Sequence, residues 1–161
     1  MNIKISALCI AFVMLSVVSF AQTKTYQGAW FDVNYPYDFT AKGSMASETS
    51  DGFDSAIFTS PDNEVSFYVY SPQWTGEAKD ISLQSNEKLA STKTDNSDEK
   101  IIEWWTIVAL DKSYSRSYQK TTDIASNTIF VIGIRYKNQA SFDRYKKQYI
   151  AFKGSLIQFA D

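Results

Sequence analysis

The chain has 161 residues, with 16 lysines and arginines against 18 aspartates and glutamates, no histidine and a single cysteine. The absence of histidine excludes Ser-His-Asp and Cys-His catalysis and any histidine-ligated zinc or copper site. The net charge of −2, with no basic cluster beyond Lys146 and Lys147, argues against nucleic acid as the main partner.

The first 21 residues have the pattern of a secretory signal peptide. Lys4 provides a short positive region, residues 5–18 are almost entirely apolar, and Ala21 stands at a position that a signal peptidase reads. The apolar run is shorter than the roughly 20 residues that span a bilayer, which argues against a retained anchor. We therefore predict that cleavage between Ala21 and Gln22 releases an exported protein, periplasmic or secreted, that does not contact the membrane.

Residues 22–161 have the features of one domain. They contain no internal repeat, low-complexity tract or linker, and cleavage would remove Cys9, so the fold does not depend on a disulfide. A chain of this length buries on the order of 68% of its unfolded surface, which is enough for a self-supporting core.

Two strand regions are predicted in the N-terminal half. Residues 26–35 alternate apolar and polar side chains with the period of a half-buried strand, and Pro36 ends it. Residues 52–71 contain two short strands around a turn at residues 60–63, with Tyr68 and Tyr70 on the outward face. The residues predicted to point inward are Phe53, Ile57, Val65, Phe67 and Val69.

The next stretch is polar and is predicted to contain a helix followed by a loop. Asp80 can cap a helix over residues 81–92. One face of that helix would carry Ile81, Ser85, Leu89 and Thr92. Residues 92–100 have the composition of a loop.

The C-terminal half predicts an antiparallel hairpin, a further strand and a long helix. Residues 101–110 and 114–122 flank a turn at residues 111–113, and residues 128–136 are apolar on both faces in their first half. Residues 139–157 carry apolar side chains at spacings of 3 and 4, the pattern of an amphipathic helix. Its stripe consists of Phe142, Tyr145, Tyr149, Phe152 and Leu156.

Trp104 and Trp105 lie side by side in the strand over residues 101–110, so their side chains point to opposite faces of the sheet. Large aromatic side chains are more often buried than exposed, and two predicted helices are available to cover both faces. We therefore predict an α+β fold, an antiparallel β-sheet flanked by helices as an α/β/α sandwich, with both tryptophans buried. The alternative is that one ring is an exposed binding platform.

Aromatic side chains in the N-terminal half form the first candidate partner-binding group. Tyrosine and tryptophan suit recognition because they combine rigid apolar area with a polar tip. The alternative is that they line the sheet beneath a helix. The residues concerned are Trp30, Tyr35, Tyr37, Tyr68, Tyr70 and Trp74.

One face of the strand over residues 114–122 is the second candidate partner-binding group. Alternating tyrosine and basic side chains could hold an anionic group or a protein carboxylate. An ordinary polar strand face with cross-strand pairs is the alternative. The residues are Tyr114, Arg116, Tyr118 and Lys120, with Arg135 or Tyr136 on the next strand.

The remaining catalytic options are a lysine or a pair of carboxylates, which must lie about 5–10 Å apart. Residues 95–99 offer oxygen ligands but lack the spacing and central glycine of a calcium loop. The sequence therefore predicts no catalytic residue, no metal site and no cofactor. The acids that are candidates by residue type alone are Asp32, Asp38, Asp51, Asp54, Glu103 and Asp123.

Three stretches of the chain form a recognisable set: residues 31–36, Phe-Asp-Val-Asn-Tyr-Pro, the hairpin region over residues 58–65, and the closing amphipathic helix. The first resembles the strand that opens many domains of the PsbP-like superfamily, and the second is similar to their second hairpin. The closing helix also fits this superfamily, which includes PsbP, the Ran-binding Mog proteins and the DcrB-like proteins. The resemblance implies an α/β/α sandwich and a binding or accessory role, and it offers no catalytic residues.

Together these features predict an exported, non-catalytic accessory or interaction domain that binds a protein partner. One alternative is a small-molecule or lipid carrier with a cavity between the sheet and the C-terminal helix. Another is a carboxylate-dependent hydrolase, which would need two buried acids in one cleft.

Overall fold

The structure is a computed structural model that describes residues 22–159, so the predicted signal peptide over residues 1–21 lies outside the described residues. No helix in the described part of the chain is long and apolar enough to cross a bilayer. The elements are β1 (Thr23–Gln27), β2 (Phe31–Pro36), β3 (Thr40–Gly43), β4 (Ser55–Thr59), β5 (Val65–Tyr70), a 3-10 turn (Lys79–Ile81), β6 (Glu87–Asn96), β7 (Lys100–Ala109), β8 (Ser115–Asp123), β9 (Thr128–Tyr136), α1 (Gln139–Gly154) and β10 (Ile157–Gln158).

Two antiparallel sheets organise the strands. The larger sheet has seven strands in the order β3-β4-β5-β9-β8-β7-β6, and the smaller has the order β1-β2-β10. Asn63 and Asn127, in the β4–β5 and β8–β9 turns, have φ angles of 57° and 51°. Asparagine tolerates this left-handed conformation better than most residues. The hairpins predicted over residues 52–71 and 101–122 and the strand over residues 128–136 are therefore confirmed.

Helix α1 covers one face of the larger sheet. The side chain of Asn138 caps its first turn by accepting a hydrogen bond from the Ser141 N–H at 2.9 Å. The predicted apolar stripe packs against the sheet: the ring of Phe152 lies 5.1 Å from that of Phe58 and 5.2 Å from that of Phe67. These rings pack between α1 and the larger sheet, where the carrier alternative would place its cavity.

The opposite face of the larger sheet, which we call the covered face, is crossed by an irregular segment of residues 71–86, the covering segment. The helix predicted over residues 81–92 is wrong, because only residues 79–81 turn and β6 begins at Glu87. Pairing of β6 with β7 overrides the helical spacing of Ile81 and Leu89, and it also replaces most of the loop predicted over residues 92–100. Within residues 22–159 the larger sheet therefore has a helix on one face only, and the predicted sandwich is half correct.

Two smaller predictions near the N-terminus are also corrected. The strand predicted over residues 26–35 is two strands, since the Gly28 N–H donates to the Phe31 carbonyl at 2.7 Å and closes a turn between β1 and β2. Phe53 and Ile57 are exposed instead of inward-facing, because Phe53 precedes β4 and Ile57 lies opposite Tyr68 on the covered face.

Trp104 and Trp105 are both half-buried, so the prediction that both are buried is wrong. Helix α1 packs over β2, β5 and β9 and does not extend over β7. On its side of the sheet the Trp104 indole donates to Oε1 of Gln119 at 3.1 Å, and Lys93 lies over its ring. Trp105 lies on the covered face.

Candidate functional site

A row of large side chains crosses the strands of the covered face. Tyr68 on β5, Gly133 on β9, Tyr118 on β8 and Trp105 on β7 are successive cross-strand neighbours. The ring of Tyr118 is edge-on to Tyr68 at 5.7 Å and stacks on Trp105 at 5.3 Å, measured between centroids. A Cβ atom on Gly133 would lie 2.2 Å from Cδ1 of Tyr118, so the missing side chain makes room for the row.

We expect Gly133→Ala to lower the free energy of unfolding by about 1–3 kcal/mol, because the new methyl group must displace a buried ring. The effect runs against the ordinary preference for alanine over glycine within a strand. Gly154→Ala is the matched control, since a Cβ there meets nothing within 4 Å. Urea unfolding of both variants checks the prediction, and a Gly133 variant as stable as the control would contradict it.

Arg116 extends from β8 beneath the covering segment and is buried with Glu87, the first residue of β6. Its Nε donates to Oε1 of Glu87 at 2.7 Å, and its Nη2 donates to Oε2 of Glu87 at 2.5 Å. The remaining guanidinium donors bind the carbonyls of Ile81 and Ser82 and the hydroxyl of Tyr118. Guanidinium has five N–H donors and all five are used, so the predicted partner-binding role of Arg116 is replaced by an internal one.

Of the other candidates in this group, Tyr114, Tyr118 and Arg135 lie around the ion pair, whereas Lys120 pairs with Glu103 and Tyr136 packs on Phe142. The Tyr114 hydroxyl donates to Oε1 of Glu87 at 2.7 Å, which raises the pKa of the tyrosine. Hydrogen bonds from Arg116 hold the pKa of Glu87 at about 2, so the carboxylate stays charged. Tyr118 is buried, whereas the exposed guanidinium of Arg135 lies 4.1 Å from the centroid of the Tyr114 ring. Arg135 is the member of this group that faces solvent.

Arg116 attaches the covering segment to the sheet through the carbonyls of Ile81 and Ser82, and Asp80 provides a second attachment. Its carboxylate accepts hydrogen bonds from the Ser55 hydroxyl at 2.7 Å and the Tyr68 hydroxyl at 2.6 Å. Burial, together with Asp80, strongly raises the pKa of Tyr68, so this hydroxyl remains a donor. The covering segment is thus attached to β4 and β5 through Asp80 and to β8 through Arg116.

An apolar pocket of about 320 Å³ opens between the covering segment and strands β6 to β9. We call it the apolar pocket. Leu83 and Leu89 stand at it with 56% and 52% of their surfaces exposed, and Trp105 forms part of its wall. Sequence reasoning missed both leucines because they were assigned to a helix or left in a polar stretch. Assigning residues 87–96 to a strand would have found Leu89, because it then lies opposite Ile107, whereas no sequence signal points to Leu83. The apolar side chains lining the pocket are Ala78, Ile81, Leu83, Leu89, Trp105, Ile107, Ile129 and Val131.

The arrangement of elements is similar to that of a solved protein. The solution structure of cyanobacterial PsbP (CyanoP) from Synechocystis sp. PCC 6803 superposes with a TM-score of 0.53 at 11% identity, over 89% of this chain and 96% of that one. The chain has a PsbP-like fold. The Ran-binding protein Mog1p of Saccharomyces cerevisiae is matched over 87% of this chain and 97% of its own, at 7% identity and a TM-score of 0.44. No protein-family model and no curated protein matches the sequence.

The motifs that carried the resemblance occupy defined places in the PsbP-like fold. Residues 31–36 form β2, the central strand of the smaller sheet. Residues 58–65 run from β4 through the turn into β5, and the closing helix is α1. The PsbP-like resemblance is therefore confirmed at the level of the fold.

The aromatic side chains predicted to form one binding group lie at separate places in the PsbP-like fold. Tyr35 packs on Phe58 under α1, and Tyr68 and Tyr70 are buried on the covered face. Trp30 is half-buried and its indole donates to Oγ1 of Thr49 at 2.8 Å. Trp74 remains 41% exposed and lines a separate pocket. The structure therefore does not bring Trp30 or Trp74 together with Arg116.

Two of the carboxylates considered for catalysis, Glu103 and Asp123, are engaged by neighbouring side chains or backbone. Glu103 pairs with Lys120 at 3.1 Å, and Asp123 accepts hydrogen bonds from the backbone and hydroxyl of Ser126. Within residues 22–159 no three metal-ligating side chains converge on a common centre.

Proposed function

We propose that this chain is an exported, non-catalytic interaction domain that binds a protein partner at the apolar pocket. The observation that carries the proposal is the exposure of Leu83 and Leu89 beside the half-buried ring of Trp105. Exposed leucines around a concave site are costly in water, and covering them contributes about 25 cal/mol per Å² of apolar surface. Tryptophan is among the residues that contribute most to protein interfaces.

The lining of the apolar pocket favours binding over catalysis. Apart from Glu77 and Lys120 its side chains carry no charge, and Lys120 is already paired with Glu103. General acid–base chemistry needs a titratable group within hydrogen-bond reach of the reacting atom. An apolar floor with a charged rim is instead the arrangement of a protein interface. Export is supported by the signal-peptide pattern of residues 1–21.

Site-specific photo-cross-linking in the producing cells tests the proposal. Benzoylphenylalanine is placed at position 83 or 89, or at position 150 on the exposed face of α1, where Ile150 is 60% exposed. We expect positions 83 and 89 to cross-link the same protein and position 150 not to cross-link it. Trp105→Ala should remove this product, because it truncates the aromatic wall of the pocket.

Cross-links of equal yield at positions 83 and 150, or at none of the three, would overturn the binding site. Edman sequencing of the recovered protein tests export separately. A mature chain that begins at Gln22 supports export, and one that begins at Met1 overturns it while leaving the binding site to be judged by the cross-links.

A further inference from the structure

A second pocket, of about 290 Å³, lies beside the apolar pocket, between the covering segment and strands β4, β5, β8 and β9. We call it the Arg135 pocket, because the exposed side chain of Arg135 lines it. Ile81 lines both pockets, so the two are adjacent. The guanidinium of Arg135 lies 4.1 Å from the centroid of the Tyr114 ring. Contact with an aromatic face holds this cation in position and leaves its in-plane N–H donors available.

Arg135 differs from the other two arginines of the chain in having no partner for its N–H groups. Arg116 uses all of its donors beneath the covering segment, and Arg144 pairs with Asp62 at 3.0 Å and with Glu64 at 2.7 Å. No side-chain hydrogen bond or ion pair within residues 22–159 includes the guanidinium of Arg135. Its five donors and its charge are therefore open to a ligand.

The carboxylate of Glu87, which also lines the Arg135 pocket, is fully used by other donors. Its Oε1 accepts from Arg116 and from the Tyr114 hydroxyl, and its Oε2 accepts from Arg116 and from the Gln84 N–H. Arg116 lies directly opposite Arg135 in the pairing of β8 with β9, so two like charges are neighbours there. Like charges directly opposite each other are destabilising, and Glu87 compensates only one of them.

Asp80 lines the Arg135 pocket as well, but its carboxylate is bonded at the other end of the strands. It accepts from the hydroxyls of Ser55 and Tyr68. Ser55 is at one end of the pairing between β4 and β5, and Ser66, the cross-strand neighbour of Arg135, is at the other. No acid within residues 22–159 therefore pairs with Arg135.

We propose that the Arg135 pocket binds the carboxylate of an aspartate or glutamate side chain of the same protein partner whose apolar residue occupies the apolar pocket. The inference rests on the proposed function and adds the chemistry of a second anchor. A guanidinium takes a carboxylate through two parallel charge-assisted hydrogen bonds. Its single charge matches one carboxylate, whereas a phosphate group carries about −1.5 to −2 and calls for a second cation. Because Ile81 lines both pockets, the acidic and apolar residues of the partner lie close together on its surface.

Titration with Nα-acetyl-glutamate amide, followed by ¹H–¹⁵N correlation spectra of the labelled protein recovered from its producing cells, tests the Arg135 pocket directly. We expect saturable shifts of the Arg135 Nε–H signal and of the Tyr114 and Gln84 backbone amides. The neutral isostere Nα-acetyl-glutamine amide should leave these signals in place, and inorganic phosphate at the same ionic strength should bind more weakly. Arg135→Gln should weaken binding of the glutamate amide at least about tenfold, since the charge-assisted pair is lost.

The matched control is Lys24→Gln on β1, in the smaller sheet. It removes an exposed cation that also lies over a tyrosine, 4.2 Å from the centroid of the Tyr37 ring. Its affinity for the glutamate amide should equal that of the unmodified protein. In the cross-linking experiment, Arg135→Gln should lower the yield at positions 83 and 89, and Lys24→Gln should leave it unchanged.

Equal shifts with the glutamine amide, phosphate binding as tight as that of the glutamate amide, equal weakening in the control, or no saturable shift would each overturn the proposal. An unchanged cross-link in Arg135→Gln would overturn it as well, because the partner would then not supply the carboxylate. A failed titration alongside specific cross-links at positions 83 and 89 would remove the Arg135 site alone. Saturable carboxylate binding without those cross-links would overturn the proposed function and retain the carboxylate site.

Discussion

We expect Glu87→Gln to lower the free energy of unfolding by about 3–5 kcal/mol, because it leaves a buried guanidinium without its counter-charge. The Arg116 and Glu87 side chains are 6% and 1% exposed, and the carboxylate accepts from Nε and Nη2 as well as from the Tyr114 hydroxyl. A neutral amide keeps the shape of the side chain but cannot compensate the buried charge. Urea unfolding at neutral pH measures the loss.

Glu103→Gln is the matched control for this substitution. Glu103 on β7 pairs with Lys120 on β8, the strand that also carries Arg116, but the two side chains are 42% and 35% exposed. Half-exposed ion pairs contribute at most about 1 kcal/mol. Similar losses in the two variants would contradict the internal role that the structure gives to Arg116.

The same pair predicts how stability depends on pH. The pKa of Glu87 is about 2 in the folded chain, below its ordinary value of 4.5. A carboxyl group with a lowered folded-state pKa stabilises the protein fully above its unfolded pKa and loses that contribution as the pH falls toward the folded value. The stability gap between the unmodified protein and Glu87→Gln should therefore narrow between about pH 4.5 and pH 2. If the difference in unfolding free energy between the two proteins stays constant over this pH range, the Glu87 carboxylate does not provide the stabilisation.

Phe152→Ala should cost about 3–5 kcal/mol, because it opens a cavity where α1 meets the larger sheet. Phe152 is 1% exposed and packs on Phe58 and Phe67, which are themselves fully buried. The neighbouring rings are held by β4 and β5 and cannot collapse into the space without moving those strands. Thermal and urea unfolding followed by circular dichroism check the expected loss.

Ile150→Ala is the control within the same helix. Ile150 is 60% exposed, so its truncation should change stability by no more than about 0.5 kcal/mol. Equal effects at positions 150 and 152 would contradict the orientation of α1 on the sheet.

The elements that sequence reasoning predicted correctly are those whose pattern is local. The turn at residues 60–63, the hairpin around residues 111–113 and the stripe from Phe142 to Phe152 each combine a side-chain period with a nearby turn or cap. Turn chemistry and periodicity both act over a few residues, so the sequence alone is sufficient there.

The covering segment and β6 could not be predicted because long-range contacts decide their structure. Residues 81–92 have helical spacing, but nine cross-strand pairs with β7 hold residues 87–96 as a strand. Arg116 was correctly placed on one face with Tyr114 and Tyr118, yet its counter-ion Glu87 lay inside the presumed helix. The assignment of residues 81–92 to a helix is also the reason why the sequence did not predict that Leu83 and Leu89 line a pocket. Local periodicity does not report which strand a segment will pair with.

The pairing of β5 with β9 has a consequence for the order in which the chain folds. Val65 pairs with Tyr136 and Tyr70 with Val131, so β5 meets its partner only across a long loop, whereas β7, β8 and β9 join through short turns. Closing a long loop costs conformational entropy before any contact offsets it, and such non-local pairing slows folding. During synthesis β4 and β5 emerge before β9 and α1, so the edge pairing of β5 with β9 and the contacts of Phe58 and Phe67 with Phe152 form only when the later elements follow. The sheet and core that begin with β4 and β5 are therefore completed only by β9 and α1, in the last third of the chain.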